Sequence, residues 1–249
     1  QMRCVLGLFE GVVTGAADGY GRMADKPAAT LLHLGSGLGN GVANLHNAKR
    51  AKTPIVNIVG DHATYHLKYD APLTSDIESL ARPVSGWVKT SKSADDISAD
   101  TAEAYAAACN APGQVATLIL PANTAWTEAP QQIVQPLSRP ERRKVDAEAV
   151  REAAQALRNG KRTLILLGNL ALRANALEIA SRIAQASGAR IQAQQSNGRI
   201  ERGAGRVAVN RVLYRVDDAL ADLADIEQVV LLGAKIPVAF FAYPGKPST

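Results

Sequence analysis

The sequence predicts an α/β protein of two domains, each with a mainly parallel sheet flanked by helices. Three observations carry that reading. Short apolar runs alternate with helical stretches, as parallel strands joined by crossover helices require. A proline-bearing stretch without periodicity interrupts the alternation near the middle of the chain. Alanine and glycine are abundant while aromatics make up only 4% of 249 residues, so the cores must be aliphatic and closely spaced.

In chain order, residues 3–8 read as a strand, 10–23 as a helix, 28–33 as a strand, 39–52 as a helix and 54–59 as a strand. A short helix over 75–81 and a strand over 85–90 follow. An alanine-rich helix then runs from a Ser93 cap to about Asn110, where Pro112-Gly113 breaks it, and 115–120 is the next strand. Residues 1–128 form the first domain. Residues 129–145, with Pro130, Pro136 and Pro140, form a linker, and 146–249 the second domain. There Asp146 caps a helix to Arg158, and 163–167 is a buried strand. A helix over 173–187 stops at Gly188, 191–194 is a strand, 216–224 a helix, 228–232 a strand, and the end is loop-like.

Composition excludes several function classes. With 47% hydrophobic and 20% charged residues, the chain is not intrinsically disordered. No apolar run approaches the ~20 residues a membrane-crossing helix needs. The net charge is +5, but the basic stretches 139–144 and 199–215 are broken by proline, glycine and glutamate. With no aromatic interleaving, they do not make a nucleic-acid surface. A modest positive field toward anionic small molecules fits better. Two cysteines, Cys4 and Cys109, make neither a disulfide framework nor a metal spacing. A reduced, cytoplasmic setting is expected, and no metal site is assigned to this chain.

Four features bear on chemistry. Gly11, Gly15 and Gly19 share one helical face. Each costs about 1 kcal/mol relative to alanine in a helix interior, so another backbone must approach closely there, inside the chain or from another subunit. Glu10 opens that helix, either as a favourable charge at its N-terminus or as a carboxyl group whose pKa is raised in an apolar cleft. The segment from His33 to Gly41 is a glycine-rich turn between strand and helix. A dinucleotide fingerprint through Gly35 and Gly37 would need its third glycine where Asn40 stands. Asp61 sits about where a ribose-binding acid would, so a dinucleotide site stays open as an alternative, as does a non-catalytic binding fragment whose glycine-rich faces serve docking only. His33 and His62 follow strands at their carboxyl ends, where open α/β sheets bind ligands; His66 is a further acid/base candidate.

Several of these motifs, taken in order, carry a family resemblance. Phe9-Glu10-Gly-Val-Val-Thr-Gly-Ala-Ala-Asp18-Gly-Tyr-Gly-Arg22 resembles the glutamate and following helix in the pyrimidine-binding domain of thiamine diphosphate enzymes such as acetolactate synthase and benzoylformate decarboxylase. Gly35-Ser-Gly37-Leu-Gly-Asn40 is similar to that family's glycine-rich loop, Thr53 to Asp61 to its third strand, and Pro112 to Pro121 to its last strand and proline stop. Residues 146–249 resemble its middle, Rossmann-like domain more loosely. The resemblance implies a thiamine diphosphate-binding fold in the first domain. It implies Glu10 at the aminopyrimidine ring, Gly35, Gly37 and Asn40 shaping the cofactor site, His33 facing a 2-keto acid substrate, and His62 as an acid/base group. It further implies a transferase or lyase. One reading is acetolactate synthase-like carboligation. The other is benzoylformate decarboxylase-like decarboxylation, since acetolactate synthases usually carry a hydroxyl residue where His33 stands. A homodimer or homotetramer is expected, with magnesium held by a C-terminal domain that this sequence does not contain, and with FAD a further option on the middle domain. The chain alone is expected to be inactive.

Overall fold

In a computed structural model, residues 3–129, 134–135, 137–141 and 144–249 are described. The chain divides into two compact units, Gln1–Arg142 and Arg143–Thr249. Pro130 and Pro136 of the expected linker lie outside the described residues; those of 129–145 that are described have no regular structure.

The first unit contains α1 (Glu10–Ala24), β1 (Ala28–Leu32), α2 (Leu34–Ala51), β2 (Ile55–Asp61), α3 (Ile77–Ala81), β3 (Trp87–Thr90), α4 (Ile97–Cys109), β4 (Val115–Pro121) and α5 (Ala122–Trp126). Its four strands are parallel in the order β1-β2-β4-β3. The central strands β2 and β4 are apolar on both faces because helices cover both. On one face Ile55, Val59, Val115 and Ile119 pack against Ala17, Leu38, Leu45 and Ile77 of the first three helices. On the other, Val56, Ala116 and Leu118 pack against Ala104 and Ala108 of α4. Small alanines and glycines let these helices lie close, which is why so few aromatics are needed.

The first face also carries polar residues. Thr30 donates to Asn57 Oδ1 at 2.8 Å, Asn57 Nδ2 donates to Thr117 Oγ1 at 3.0 Å, and Ser85 shares a 2.7 Å bond with Thr117. This chain crosses the whole sheet in its dry interior. A second buried group, Asp18 of α1, accepts two bonds from Arg22 (2.8 and 2.5 Å) and one from Thr53 (2.6 Å), fastening the helix to the start of β2.

The second unit contains α6 (Ala147–Ala156), β5 (Thr163–Leu167), α7 (Ala174–Ser187), β6 (Arg190–Ala193), β7 (Asn210–Arg211), α8 (Val216–Leu223) and β8 (Gln228–Leu232). The sheet is parallel in the order β7-β6-β5-β8. Every residue of β5 is buried. Asp146 caps α6 through a 3.0 Å bond from the Glu148 N–H. Gly188 ends α7 in the left-handed conformation, φ 71°, which costs glycine little.

The structure corrects four element assignments. Among the described residues, 3–8 pair with no strand: Val5, Leu6 and Leu8 are exposed. The glycine-rich turn is already helical, since α2 starts at Leu34, five residues before its expected start. Hydrogen bonds such as Gly37 N–H to the His33 carbonyl close it, at 2.8 Å. Asp96, not Ser93, precedes α4, and the Ser93 hydroxyl instead donates to the Asp96 carboxylate. The short α5 and the two-residue β7 carry too little periodicity to be read from sequence.

Candidate active site

α1 runs into β1 and α2 leaves it, so both helices begin at the carboxyl-terminal edge of the sheet. That edge is where open α/β sheets bind ligands, and helix N-termini there favour negative charge. Glu10 is the first residue of α1 and His33 the last before α2. Asn40, on α2, donates to Glu10 Oε2 at 3.1 Å. A Cβ on Gly37 would come within 3.2 Å of Glu10 Oε1 and 3.4 Å of the His33 Cβ. Glycine therefore leaves the space in front of Oε1 open. Asn44 donates to the Gly11 carbonyl at 2.6 Å, locking the two helices together just behind the carboxylate.

The Glu10 carboxyl is held below its ordinary pKa by a hydrogen bond from its own backbone and by the Asn40 amide, with the nearby His33 adding to the effect. This corrects the expectation of a raised pKa in an apolar cleft: in this unit the carboxyl is open to solvent, and hydrogen bonds to the ionised form outweigh burial. Asn40→Ala is expected to move the Glu10 midpoint upward, part-way toward 4.5. The amide N–H favours the ionised form, and the backbone bond remains. NMR titration of the Glu10 carboxyl carbon checks this; a midpoint that stays or falls overturns the assignment.

Leu34 follows His33 with φ 56°, a left-handed conformation uncommon for a bulky side chain. It buries the leucine while His33 stays exposed at the sheet edge. Nothing in the sequence announces this turn. Gly35 serves a different contact: a Cβ there would meet Ser75 at 2.4 Å, so it lets the segment before α3 pack onto α2. Gly35 is thus turned away from Glu10, unlike Gly37 and Asn40.

Asp61 ends β2 and accepts the His62 N–H at 2.7 Å, and burial raises its pKa. The His62 ring lies 5.6 Å from His66, and His66 lies 5.7 Å from Tyr69. His62 Nε2 is buried without a hydrogen-bond partner. Among the described residues, no hydrogen bond or ring contact joins this cluster to Glu10, His33 or Asn40. The loop is pinned instead by Asn123 of α5, which accepts the Thr64 N–H at 2.8 Å. A dinucleotide fingerprint does not fit this geometry, because Gly35 to Asn40 are turns of a helix and Asp61 is engaged with its own loop.

The face bearing Gly11, Gly15 and Gly19 is also corrected in part. A Cβ on Gly15 would sit 3.1 Å from Asn44 Nδ2, whereas a Cβ on Gly19 would meet nothing within 4 Å among the described residues. The close approach at Gly15 is to α2 of the same unit.

A family model described as the thiamine pyrophosphate enzyme, N-terminal TPP binding domain, matches residues 1–81, the stretch that carries Glu10, His33, Gly37 and Asn40. The "Putative acetolactate synthase large subunit IlvX" of Mycobacterium tuberculosis is 51% identical over 248 residues, 100% of this chain and 47% of the relative. Residues 1–81 thus match the N-terminal domain of the thiamine pyrophosphate enzymes. A benzoylformate decarboxylase from Pseudomonas aeruginosa is 34% identical over 98 residues, 39% of this chain and 19% of that protein. A solved structure of a "putative thiamin diphosphate-dependent enzyme" from Mycobacterium smegmatis superposes with a TM-score of 0.85 at 25% identity, over 97% of this chain and 47% of that one. A Rhodococcus jostii 4-hydroxybenzoylformate decarboxylase shares the fold, with a TM-score of 0.80 at 21% identity over 97% of this chain and 47% of that one. The chain therefore spans about half the length of its mycobacterial family relatives. Among the described residues no helix is long and apolar enough to cross a membrane.

Proposed function

We propose that residues 1–128 form the pyrimidine-binding domain of a thiamine diphosphate enzyme acting on 2-keto acids by acetolactate synthase-like carboligation. Residues 129–145 are then the linker and 146–249 the middle domain. The observation that carries this is the Glu10 carboxylate at the head of α1. Asn40 satisfies one of its oxygens, and the other faces the space that Gly37 leaves open. An aminopyrimidine ring fits that cradle, because a ring nitrogen needs one carboxyl oxygen in its plane and no side chain in the way. When bound, thiamine diphosphate supplies a thiazolium carbon that adds to a keto-acid carbonyl and accepts the electron pair left by decarboxylation. Glu10 would hold a proton between Oε1 and the ring nitrogen, with Asn40 fixing the carboxyl plane. His33, exposed beside it, would bind or protonate the substrate, and His62 is a more distant acid/base group. Magnesium is part of the proposal, with no ligand to it assigned among the described residues.

The second reading, decarboxylation of a benzoylformate-like acid, is favoured by His33. Assay of the complete protein with thiamine diphosphate, magnesium and either pyruvate or benzoylformate tests both. Cofactor-dependent acetolactate formation supports carboligation, and aldehyde release alone supports decarboxylation. Turnover of neither acid overturns the proposal.

A cytoplasmic homo-oligomer completes it. Phe9, Val12, Ala16, Gly19 and Met23 make an exposed stripe along α1 at alternating spacings of three and four, beside Glu10. A second subunit covering that stripe would remove water from the carboxyl and raise its pKa toward proton-transfer range. Val12→Glu is expected to shift sedimentation of the complete protein toward the monomer; an unchanged oligomer removes this face. Gly19 is the cleaner glycine to enlarge, since Gly15 also packs within the unit.

A further inference from the structure

We infer that Asn44 is a positioning residue for Glu10: by tying α2 to the first turn of α1, it sets the distance at which Asn40 meets the Glu10 carboxylate. The inference rests on the reading of Glu10 as the proton-transferring group.

Asn40 and Asn44 stand one turn apart on α2 and so share a face of that helix. Both reach the same turn of α1. Asn40 donates to Glu10 Oε2 at 3.1 Å, and Asn44 Nδ2 donates to the carbonyl of the next residue, Gly11, at 2.6 Å. The two bonds differ in kind. The first joins two side chains that can turn. The second ends on main chain, so it fixes where α1 itself lies. The Gly11 carbonyl does not depend on it. Inside a helix that oxygen already accepts the N–H four positions on, and Asn44 uses its second lone pair. The bond therefore adds little to helix formation and much to register. The apolar residues of the same core, such as Ala17, Leu38 and Leu45, hold the helices together without direction, so they do not prevent a small slip.

The other polar group at this contact does not replace Asn44. Thr14 is fully buried, and its hydroxyl has one proton for three carbonyls: Glu10 at 2.9 Å, Gly11 at 3.3 Å and Gly41 at 3.3 Å. The nearest lies in its own helix, so the tie between helices falls to Asn44. Glycines make the close approach possible. A Cβ on Gly15 would sit 3.1 Å from Asn44 Nδ2, and one on Gly41 would sit 3.0 Å from Thr14 Cγ2. The margin at the site is small. At 3.1 Å the Asn40 bond is near the long end of the N–H···O range, and a slip of about 0.5 Å would take it out of that range. Glu10 would then lose the amide that fixes the plane in which Oε1 faces the opening at Gly37.

NMR titration of the Glu10 carboxyl carbon in the cofactor-free 249-residue chain tests this. Asn44→Ala is expected to raise the midpoint toward 4.5, as Asn40→Ala does. Added to Asn40→Ala it is expected to raise it no further, because Asn44 acts through Asn40. Gly15→Ala/Asn44→Ala separates position from packing. Its added methyl takes up room beside the lost amide, and alanine is the better helix former. Its urea unfolding midpoint should return toward the wild-type value while the Glu10 midpoint stays raised. In the complete protein this double variant is expected to turn over 2-keto acids at least about tenfold more slowly. A Glu10 midpoint unmoved in the double variant, or a rise that adds in full to that of Asn40→Ala, would overturn the inference. If Asn44→Ala alone does not fold, the double variant decides. Turnover of neither acid by the wild-type protein removes the functional reading instead, and the titration still decides whether Asn44 governs Glu10.

Discussion

Glu10→Gln in the complete protein is expected to lower 2-keto acid turnover by ~10²–10⁴-fold, the usual worth of a positioned acid–base group. The geometry says why an amide is a poor replacement. Asn40 donates to Oε2, so a glutamine would turn its own oxygen to Asn40 and present its NH₂ toward the Gly37 side. A group able to give and take a proton is thus exchanged for one that only donates. The side chain is only half-buried and is isosteric with its replacement, so the fold and cofactor affinity should change far less than the rate. His33→Ala is expected to act through the substrate, changing KM or the product-forming step. The two roles separate when exchange of the thiazolium C2 proton with deuterium is followed in the bound cofactor. Exchange should slow in Glu10→Gln and persist in His33→Ala. Unchanged exchange in Glu10→Gln removes Glu10 from the chemistry.

The parts of this molecule legible from sequence are those with a local cause. The strand Thr163–Leu167 is five apolar or β-branched residues between a polar turn and a glycine, and its ends fall where expected. Asp146 and Gly188 mark helix ends by chemistry that acts over three or four residues. The ordered motifs around Glu10 likewise point to a family, because each is contiguous. What escaped the sequence depends on distant partners. Gly35 and Gly37 look alike in one glycine-rich run, yet one makes room for Ser75 and the other for Glu10. The run reads as a loop because glycine is a poor helix former; close packing against α1 and α3 makes it a helix. The lowered Glu10 pKa comes first from a bond to its own backbone and only second from Asn40, and the Asn40 part is invisible for the same reason, since that partner lies thirty positions away.

Asn57 belongs to that second class, and the largest stability loss is expected there. A strand reading Ile-Val-Asn-Ile-Val invites replacement of its one polar residue by leucine, which has the same branching but a larger volume. Asn57→Leu would leave the Thr30 hydroxyl without its acceptor and remove the donor to Thr117, all in the fully dry face under α1 and α2. An unsatisfied buried polar group costs about 1–3 kcal/mol. Thr117 keeps its bond with Ser85, so the expected loss is about 2–4 kcal/mol, dominated by Thr30 and the lost amide bonds. A double variant separates this from poor fit. Thr30→Val removes the orphaned hydroxyl, so Thr30→Val/Asn57→Leu is expected to be more stable than Asn57→Leu alone, a coupling readable in a double-mutant cycle of urea unfolding midpoints. If the double variant is instead the less stable by the sum of the two single losses, the bonds across the sheet contribute nothing cooperative, and Asn57 is tolerated in β2 without supporting it.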